Sequence, residues 1–202
     1  MKSLSFLIMF LSMKRYFLLV AMIIAVLFSS FGSLYSQDRG ANVYEVKGSA
    51  VVVEKVVPFD ISKSAAAKAV RDYFVLRLYD SNQTLKLNDE DIIIVKIVTP
   101  VLTTYSMGAY RTRGNLNIEV KFKESKMKVL IECSEIENYS DVRTSRYSPV
   151  NMPPVSSEFN AWTAGITKNA AIVTFDKLIE YMHSVIGDIE GAVSKVSDED
   201  DW

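Results

Sequence analysis

Two neighbouring segments of alternating apolar and polar residues constrain the fold most strongly. From 115 to 123 every second residue is apolar, and the positions between them hold Asn115, Asn117, Glu119, Lys121 and Lys123. From 126 to 133 the apolar positions are Met127, Val129, Ile131 and Cys133. The short Glu124–Ser125 connection predicts a β-hairpin with one apolar and one polar face. Such a pair is typical of an antiparallel sheet that is covered on one side only.

Amphipathic helices are predicted before and after these strands. The first runs from Ala65 to Tyr79, and Ser62 or Ser64 can cap it. The second follows Ser156 or Ser157. It carries an apolar stripe spaced alternately three and four residues: Ile172, Phe175, Ile179, Met182, Ile186, Ile189 and Val193. The stripe indicates a helix that either covers the sheet or packs against a second copy of the chain.

The remaining segments complete an α+β pattern. Strands are predicted in 43–59 with a bend at Gly48, in 91–102 with an interruption at Pro100, and in 103–113, and Gly114 is predicted to mark a turn. The polar, proline-containing segment 138–155 is predicted as a loop. The order β-α-β-β-β-β-α favours a two-layer α+β domain, an antiparallel sheet with helices on one face.

Three stretches carry a resemblance to a known family: VVVEKVVPF, AAAKAVRDYF and NLNIEVKFKESKMKVLIEC. Their order across residues 43–190 resembles an uncharacterised family of exported bacterial domains with a TATA-binding-protein-like (TBP-like) fold. The resemblance implies that fold and export, but no activity or site residue. Since fold does not determine function, it does not imply DNA binding.

The first 36 residues predict export. They contain no acidic residue, and Lys14 and Arg15 stand directly before an apolar run at 17–28 that has the length of a signal-peptide core. Small residues follow, so cleavage is predicted near Ser36–Gln37 and the product is expected in the periplasm or secreted, with no membrane span left after cleavage. Met13 is the expected initiator, with Met1 as the alternative. Residues 37–196 are then a single domain, and the acidic segment 197–202 is predicted to be a disordered tail.

Composition restricts the classes of function. The whole chain has a net charge of −1, and losing Lys2, Lys14 and Arg15 with the signal peptide makes the mature chain three units more negative. This acidity argues against nucleic acid as a partner. Cys133 is the only cysteine and lies on the apolar face, so we expect a buried thiol. His183 is the only histidine, and no set of metal ligands, cofactor motif or catalytic triad is predicted.

Carboxylates supply the one alternative that includes catalysis. Asp89, Glu90 and Asp91 are consecutive, and Glu135 and Glu137 form a second pair two residues apart. Hydrolysis by paired carboxylates requires acids that face each other across a groove. The triplet instead has the position of a turn before a strand, so a hydrolase is the least favoured alternative.

Two surfaces are candidates for binding. The first is the polar hairpin face, of which Asn115, Asn117, Lys121 and Lys128 are the candidate contact residues. The second is rich in Tyr and Arg, the side chains enriched at recognition hot spots: Tyr105, Tyr110, Arg111, Arg113, Arg143, Arg146 and Tyr147. For both, the alternative is structural: a solvated face with cross-strand charge pairs, or edge strands protected by charge.

Together these features predict a non-catalytic, exported domain that binds an envelope protein, peptide or glycan without a cofactor. The alternatives are a homo-oligomeric envelope protein joined through the last helix, for instance a homodimer, and the hydrolase.

Overall fold

The computed structural model describes residues 43–77, 84–89, 91–152 and 166–199, all of which lie within the unit Ser36–Trp202. Its strands are β1 (Glu45–Lys47), β2 (Ala50–Pro58), β3 (Thr84–Asn88), β4 (Ile92–Val98), β5 (Thr103–Tyr105), β6 (Tyr110–Lys123), β7 (Lys126–Tyr139) and β8 (Thr144–Tyr147). The helices are α1 (Lys63–Arg77) and α2 (Lys168–Glu199), and a short 3-10 helix spans Pro149–Asn151.

The eight strands form one antiparallel sheet built around the predicted hairpin. The strand order is β1-β2-β7-β6-β4-β3. In the hairpin, Val120 pairs with Val129 and Ile118 with Ile131, the register that the alternation predicts. Val120 and Val129 are both 0% exposed, whereas Lys121 and Lys128 on the opposite face are exposed. The prediction of a sheet with one buried and one open face is therefore confirmed.

The long hairpin changes neighbours along its length. Near its closed end, β7 pairs with β2 and β6 pairs with β4. Near its open end, β8 replaces β2 beside β7, and β5 replaces β4 beside β6. The exchange occurs at a β-bulge, where the register shifts between Asn115 and Leu116. Because a bulge bends the strand and re-aims its side chains, this point divides the sheet into two halves.

Both helices pack on the same side of the sheet. Phe74 of α1 and Phe175, Leu178 and Met182 of α2 belong to one apolar core that also contains Ile118 and Ile131 of the hairpin. This arrangement confirms the two-layer α+β class. Every stripe residue of α2 except Ile172 is buried in that core, so the stripe covers the sheet within one domain.

Local hydrogen bonds explain where the helices begin. The Ser62 hydroxyl accepts a hydrogen bond from the Ala65 amide at 3.2 Å, so Ser62, one of the two predicted caps, caps α1. At the start of α2 the Thr167 hydroxyl accepts a bond from the Ala170 amide at 3.3 Å. The predicted caps Ser156 and Ser157 lie outside the described residues.

Several details differ from the sequence-based expectations. Strand β3 (Thr84–Asn88) lies where no strand is predicted, and α2 begins at Lys168 rather than directly after Ser156 or Ser157. Gly114 is not at a turn but inside β6, where its amide donates to the Thr99 hydroxyl at 2.8 Å. Part of the predicted loop 138–155 is strand β8, which pairs with β7. Helix α2 continues through Glu199, into the segment 197–202 that the sequence predicts to be a disordered tail. The bend expected at Gly48 is a tight turn between β1 and β2, where Gly48 has a φ of +61° that glycine adopts without strain.

Candidate functional site

The outer face of the sheet, which we define as the face opposite the helices, is the surface on which the polar hairpin residues lie. Asn115, Asn117, Lys121 and Lys128 all project from this face, as predicted. They alternate with the buried residues that face the helices. No described element packs across them, and no helix among the described residues is long and apolar enough to cross a membrane.

The Tyr/Arg-rich set does not form one surface. The strand alternation separates its members onto the two faces of the open half of the sheet. Arg111, Arg113 and Arg146 lie on the outer face, whereas Tyr105, Tyr110 and Tyr147 lie on the helix side. Arg143 lies in the exposed turn before β8, where its Nε donates to the Ser145 hydroxyl at 3.2 Å.

The tyrosines on the helix side are engaged in packing. The rings of Tyr105 and Tyr110 stack, with their centroids 5.4 Å apart. The Tyr105 hydroxyl is 2.8 Å from Oδ1 of the buried Asn138, to which it donates. Burial raises the pKa of Tyr105 to about 12, and the bond to Asn138 opposes that rise only in part. Tyr105 is therefore neutral at neutral pH, and its hydrogen bond to Asn138 ties the short strand β5 to β7.

Two of the three arginines on the outer face, Arg113 and Arg146, are held in an ion-pair network around Glu137. Arg113 Nε donates to Glu137 Oε2 at 2.7 Å, and Arg146 approaches Glu137 Oε1 at 3.3 Å. Arg146 also pairs with Glu135, with 3.1 Å between Nε and Oε1. The guanidinium of Arg113 in addition lies 4.8 Å from the ring centroid of Tyr139.

The electrostatics of Glu137 follow from this network. Burial by itself would raise the pKa of the Glu137 carboxyl, because its side chain is only 8% exposed. Hydrogen bonds from Arg113 and Asn115, with the charges of Arg113 and Arg146, outweigh burial and hold the pKa below its usual value. The carboxylate is therefore ionised at neutral pH and fixes the orientation of both arginines.

A pocket of about 340 Å³ opens on the outer face at the β-bulge. We call it the bulge pocket. Its wall comes from four strands: Lys96, Ile97 and Val98 of β4, Asn115, Leu116 and Asn117 of β6, Ser134 and Glu135 of β7, and Arg146 of β8. Glu135 and Arg146 are held by the ion-pair network, so one wall of the pocket is fixed in place.

Two polar side chains of the bulge pocket are not engaged by the described part of the chain. Lys96 and Asn117 are paired in register across β4 and β6, and they form no hydrogen bond or ion pair with any described residue. They provide an ammonium donor and an amide that both donates and accepts. Sequence reasoning identified Asn115, Asn117 and Arg146 as surface residues and Glu135 only as one of a carboxylate pair. It missed Lys96 and Ser134, because nothing in the alternation indicates the strand pairing and the bulge that bring them to this pocket.

The single histidine and the single cysteine have structural positions. His183 is half-buried, and its Nε2 lies 3.1 Å from the Val43 carbonyl oxygen. Burial lowers the pKa of His183, and the nearby Lys55 lowers it further. Cys133 is fully buried as predicted, and burial raises the pKa of its thiol to about 12. A thiol of that pKa is not a nucleophile at neutral pH.

The acidic residues do not form a described active site. Asp91 is paired with Lys63 of α1, 2.6 Å from its Nζ. Asp89 is in a turn, where its amide donates to the Ile92 carbonyl oxygen at 3.0 Å. Glu90 lies outside the described residues, and Glu135 and Glu137 are bound to arginines. Within the described ranges, no group of three or more His, Cys, Asp or Glu side chains could hold a metal ion.

Comparison with known proteins gives a fold but no function. No protein-family model matches the chain, and no curated protein matches it. Among solved structures, it is similar to a TBP-like protein from Parabacteroides distasonis, with 15% identity, a TM-score of 0.57, and coverage of 74% of this chain and 96% of that one. It is also similar to a DUF4468 family protein from Bacteroides ovatus, with 16% identity, a TM-score of 0.54, and coverage of 73% and 88%. The chain therefore has the TBP-like α+β fold that the sequence resemblance implied.

Proposed function

We propose that the protein is an exported, non-catalytic binding module that takes a polar group of an envelope peptide or glycan in the bulge pocket. The observation that carries this proposal is an open pocket of about 340 Å³ on the outer face, with two polar side chains directed to no described partner. Polar side chains that line a pocket and form no hydrogen bond with the protein itself can bond to a ligand and fix its orientation.

The lining of the pocket favours amide and hydroxyl ligands. Lys96 donates, Asn115 and Asn117 can both donate and accept, and Glu135 accepts. Peptide backbones and sugars carry both kinds of group, so they match this mixed set. The rigid wall held by the network lowers the entropic cost of ordering the side chains on binding. The fixed wall and the polar side chains of the pocket together would select a small polar segment rather than a large apolar ligand.

A titration with defined fragments tests the site. Peptides and oligosaccharide fragments of the cell envelope are added to the isotopically labelled protein, and we expect the side-chain amide signals of Asn115 and Asn117 to shift in the NMR spectrum. The double variant Lys96→Ala/Asn117→Ala should then weaken binding by about thirtyfold, because two hydrogen bonds of about 1 kcal/mol each are lost.

The matched control lies on the other side of the domain. Lys177→Ala/Ser184→Ala removes one ammonium group and one hydroxyl group from the surface of α2, beside a separate groove. We expect it to leave the affinity unchanged. Shifts that map to the α2 groove, or an unchanged affinity of the Lys96→Ala/Asn117→Ala variant, would show that the bulge pocket is not the binding site.

Export is a separate part of the proposal and has its own experiment. It rests on the acid-free segment 1–36 with its cationic start and apolar run. We expect fractionation of expressing bacteria to place the protein outside the cytoplasm, and N-terminal sequencing to begin at Gln37. Recovery of the full-length chain from the cytoplasm would contradict export without affecting the pocket.

A further inference from the structure

Four lysines lie together on the outer face at the closed end of the hairpin: Lys121 and Lys123 of β6, and Lys126 and Lys128 of β7. We call them the hairpin lysines. In the register of the sheet, Lys121 is directly opposite Lys128 and Lys123 is directly opposite Lys126. All four are exposed, and they are concentrated in a chain whose net charge is negative.

Electrostatic repulsion between the paired lysines destabilises the sheet, and neighbouring glutamates offset this repulsion only in part. Like charges directly opposite each other in an antiparallel pair destabilise the sheet. Lys121 is neutralised by Glu119 at 2.6 Å, and Lys128 by Glu54 at 2.7 Å. Lys123 and Lys126 form no ion pair with any described residue. Two ammonium groups therefore face each other without a counter-charge from the described part of the chain.

The hairpin lysines also surround a concave site. They line a pocket of about 360 Å³ together with Val56 of β2 and Met127 of β7. Val56 is 53% exposed and gives the pocket an apolar side next to its positive side. The pocket is distinct from the bulge pocket, with which it shares no lining residue.

We propose that the hairpin lysines bind a phosphate group. The lysine ammonium group is a compact charge with three hydrogen-bond donors on a flexible stem. Ammonium groups from four lysines around one pocket can therefore donate to the tetrahedrally arranged oxygens of a phosphate. A phosphate or pyrophosphate group with two or more negative charges neutralises both Lys123 and Lys126, which a single carboxylate cannot do. The apolar side at Val56 fits a ligand whose phosphate is attached to a less polar body.

Calorimetry at low ionic strength tests this assignment with two probes, soluble pyrophosphate and phosphatidylcholine vesicles that contain phosphatidic acid, whose phosphomonoester headgroup can carry two negative charges. We expect binding by the wild-type protein that weakens as salt is added. Lys123→Gln/Lys126→Gln should weaken binding by about tenfold or more, because two charges near the ligand are lost. Lys123→Arg/Lys126→Arg keeps both charges and should retain binding.

Thermal unfolding supplies a second measurement. Without ligand, Lys123→Gln/Lys126→Gln removes a repulsion, so its melting temperature at low salt should equal or exceed that of the wild type. Pyrophosphate should raise the melting temperature of the wild type and not that of this variant.

The outcomes separate the sources and can overturn the proposal. Binding of pyrophosphate indicates a soluble phosphate ligand, and binding of the vesicles alone indicates a lipid headgroup. The matched control Lys168→Gln/Lys195→Gln removes two exposed lysines from α2 and should bind as the wild type does. Failure of both probes to bind, or an equal loss in the α2 control, would refute the assignment. Neither result bears on the bulge pocket, since Lys96 and Asn117 are unchanged in these variants.

Discussion

At the scale of single residues, burial determines what the reactive groups can do. Cys133 is in β7 on the face of the sheet that packs against the helices, and its thiol donates to the Glu135 carbonyl oxygen at 3.3 Å. The alternation of the hairpin was enough to predict this burial, because every second position of β7 faces the core. A single cysteine in this position packs as a small apolar side chain.

We therefore expect Cys133 to be unreactive in the folded protein. With its pKa raised to about 12 by burial, it should not react with the thiol reagent DTNB in mildly alkaline buffer, and it should react fully once the protein is unfolded in guanidinium chloride. The absorbance of the released thiolate measures both rates. Rapid labelling of the native protein would contradict this position for Cys133.

The lowered pKa of Glu137 makes the free energy of unfolding depend on pH. Its pKa is lower in the folded than in the unfolded chain, so its contribution to stability is present above about pH 4.5 and is lost as the pH falls through the lower, folded value. Glu137→Gln should cost about 1–3 kcal/mol at neutral pH, because Arg113 loses its buried partner. The difference from the wild type should shrink in acid.

Urea unfolding of both proteins between neutral and acidic pH measures this difference. The control is Glu119→Gln, which breaks the more exposed pair with Lys121 and should cost less than about 1 kcal/mol. A difference between wild type and Glu137→Gln that stays constant down to strongly acidic pH would show that the Glu137 charge does not stabilise the fold.

At the scale of elements, the contact between β6 and α2 depends on the absence of a side chain at Gly114. A Cβ atom built there would lie 3.0 Å from Leu178 Cδ1 and 3.4 Å from Cys133 Sγ. Leu178 is fully buried in the core, so it cannot move aside without disturbing its neighbours. Gly114 thus lets the helix approach the sheet beside the bulge.

Gly114→Ala should destabilise the domain by about 1–2 kcal/mol, since overpacking outweighs the gain in chain entropy. Gly191→Ala on α2 is the matched control. No neighbouring atom lies within 4 Å of its new Cβ, so it should stabilise by about 0.5–1 kcal/mol. Chemical denaturation measures both changes.

A double variant identifies the residue that causes the overpacking. In a Leu178→Ala background, Gly114→Ala should reduce the free energy of unfolding much less than it does in the wild type. An equal reduction in both backgrounds would show that the strain does not come from Leu178.

The elements also show how far the sequence alone could lead. The hairpin and both helices could be predicted because long runs with one period leave few alternatives. Strand β8 could not, since its four polar and aromatic residues next to prolines resemble a loop until they pair with β7. The bulge at Asn115 and Leu116 depends on the inserted Ser134, which no local pattern marks.

The same bulge explains what the sequence could not predict about the site. Separation of the Tyr/Arg-rich set onto two faces depends on the register beyond the bulge, where Arg113 pairs with Glu137 and Thr112 with Asn138. Without that register, residues from two segments could be grouped by type but not by face. Lys96 could not be added to the site either, because the pairing of β4 with β6 that places it beside Asn117 is not marked in the sequence.

At the scale of the whole molecule, we expect the domain to be a monomer. The α2 stripe that motivated a homo-oligomer is already buried against the sheet, and a helix cannot bury the same face twice. The edge strands β1, β3, β5 and β8 are all short, at most five residues long, and Arg146 projects from β8. These features discourage pairing with another sheet. Light scattering during size-exclusion chromatography should give the monomer mass at all concentrations. A mass that rises to that of a dimer would show an interface outside the stripe.

The exchange of neighbours along the long hairpin has a consequence for how such a domain can diversify. The half that pairs with β2 and β4 carries most of the interior, whereas the half beside β5 and β8 ends in surface connections at 106–109 and 140–143. Insertions at those connections would leave the inner register untouched. One end of the molecule can thus accumulate new specificities while the other end preserves the architecture.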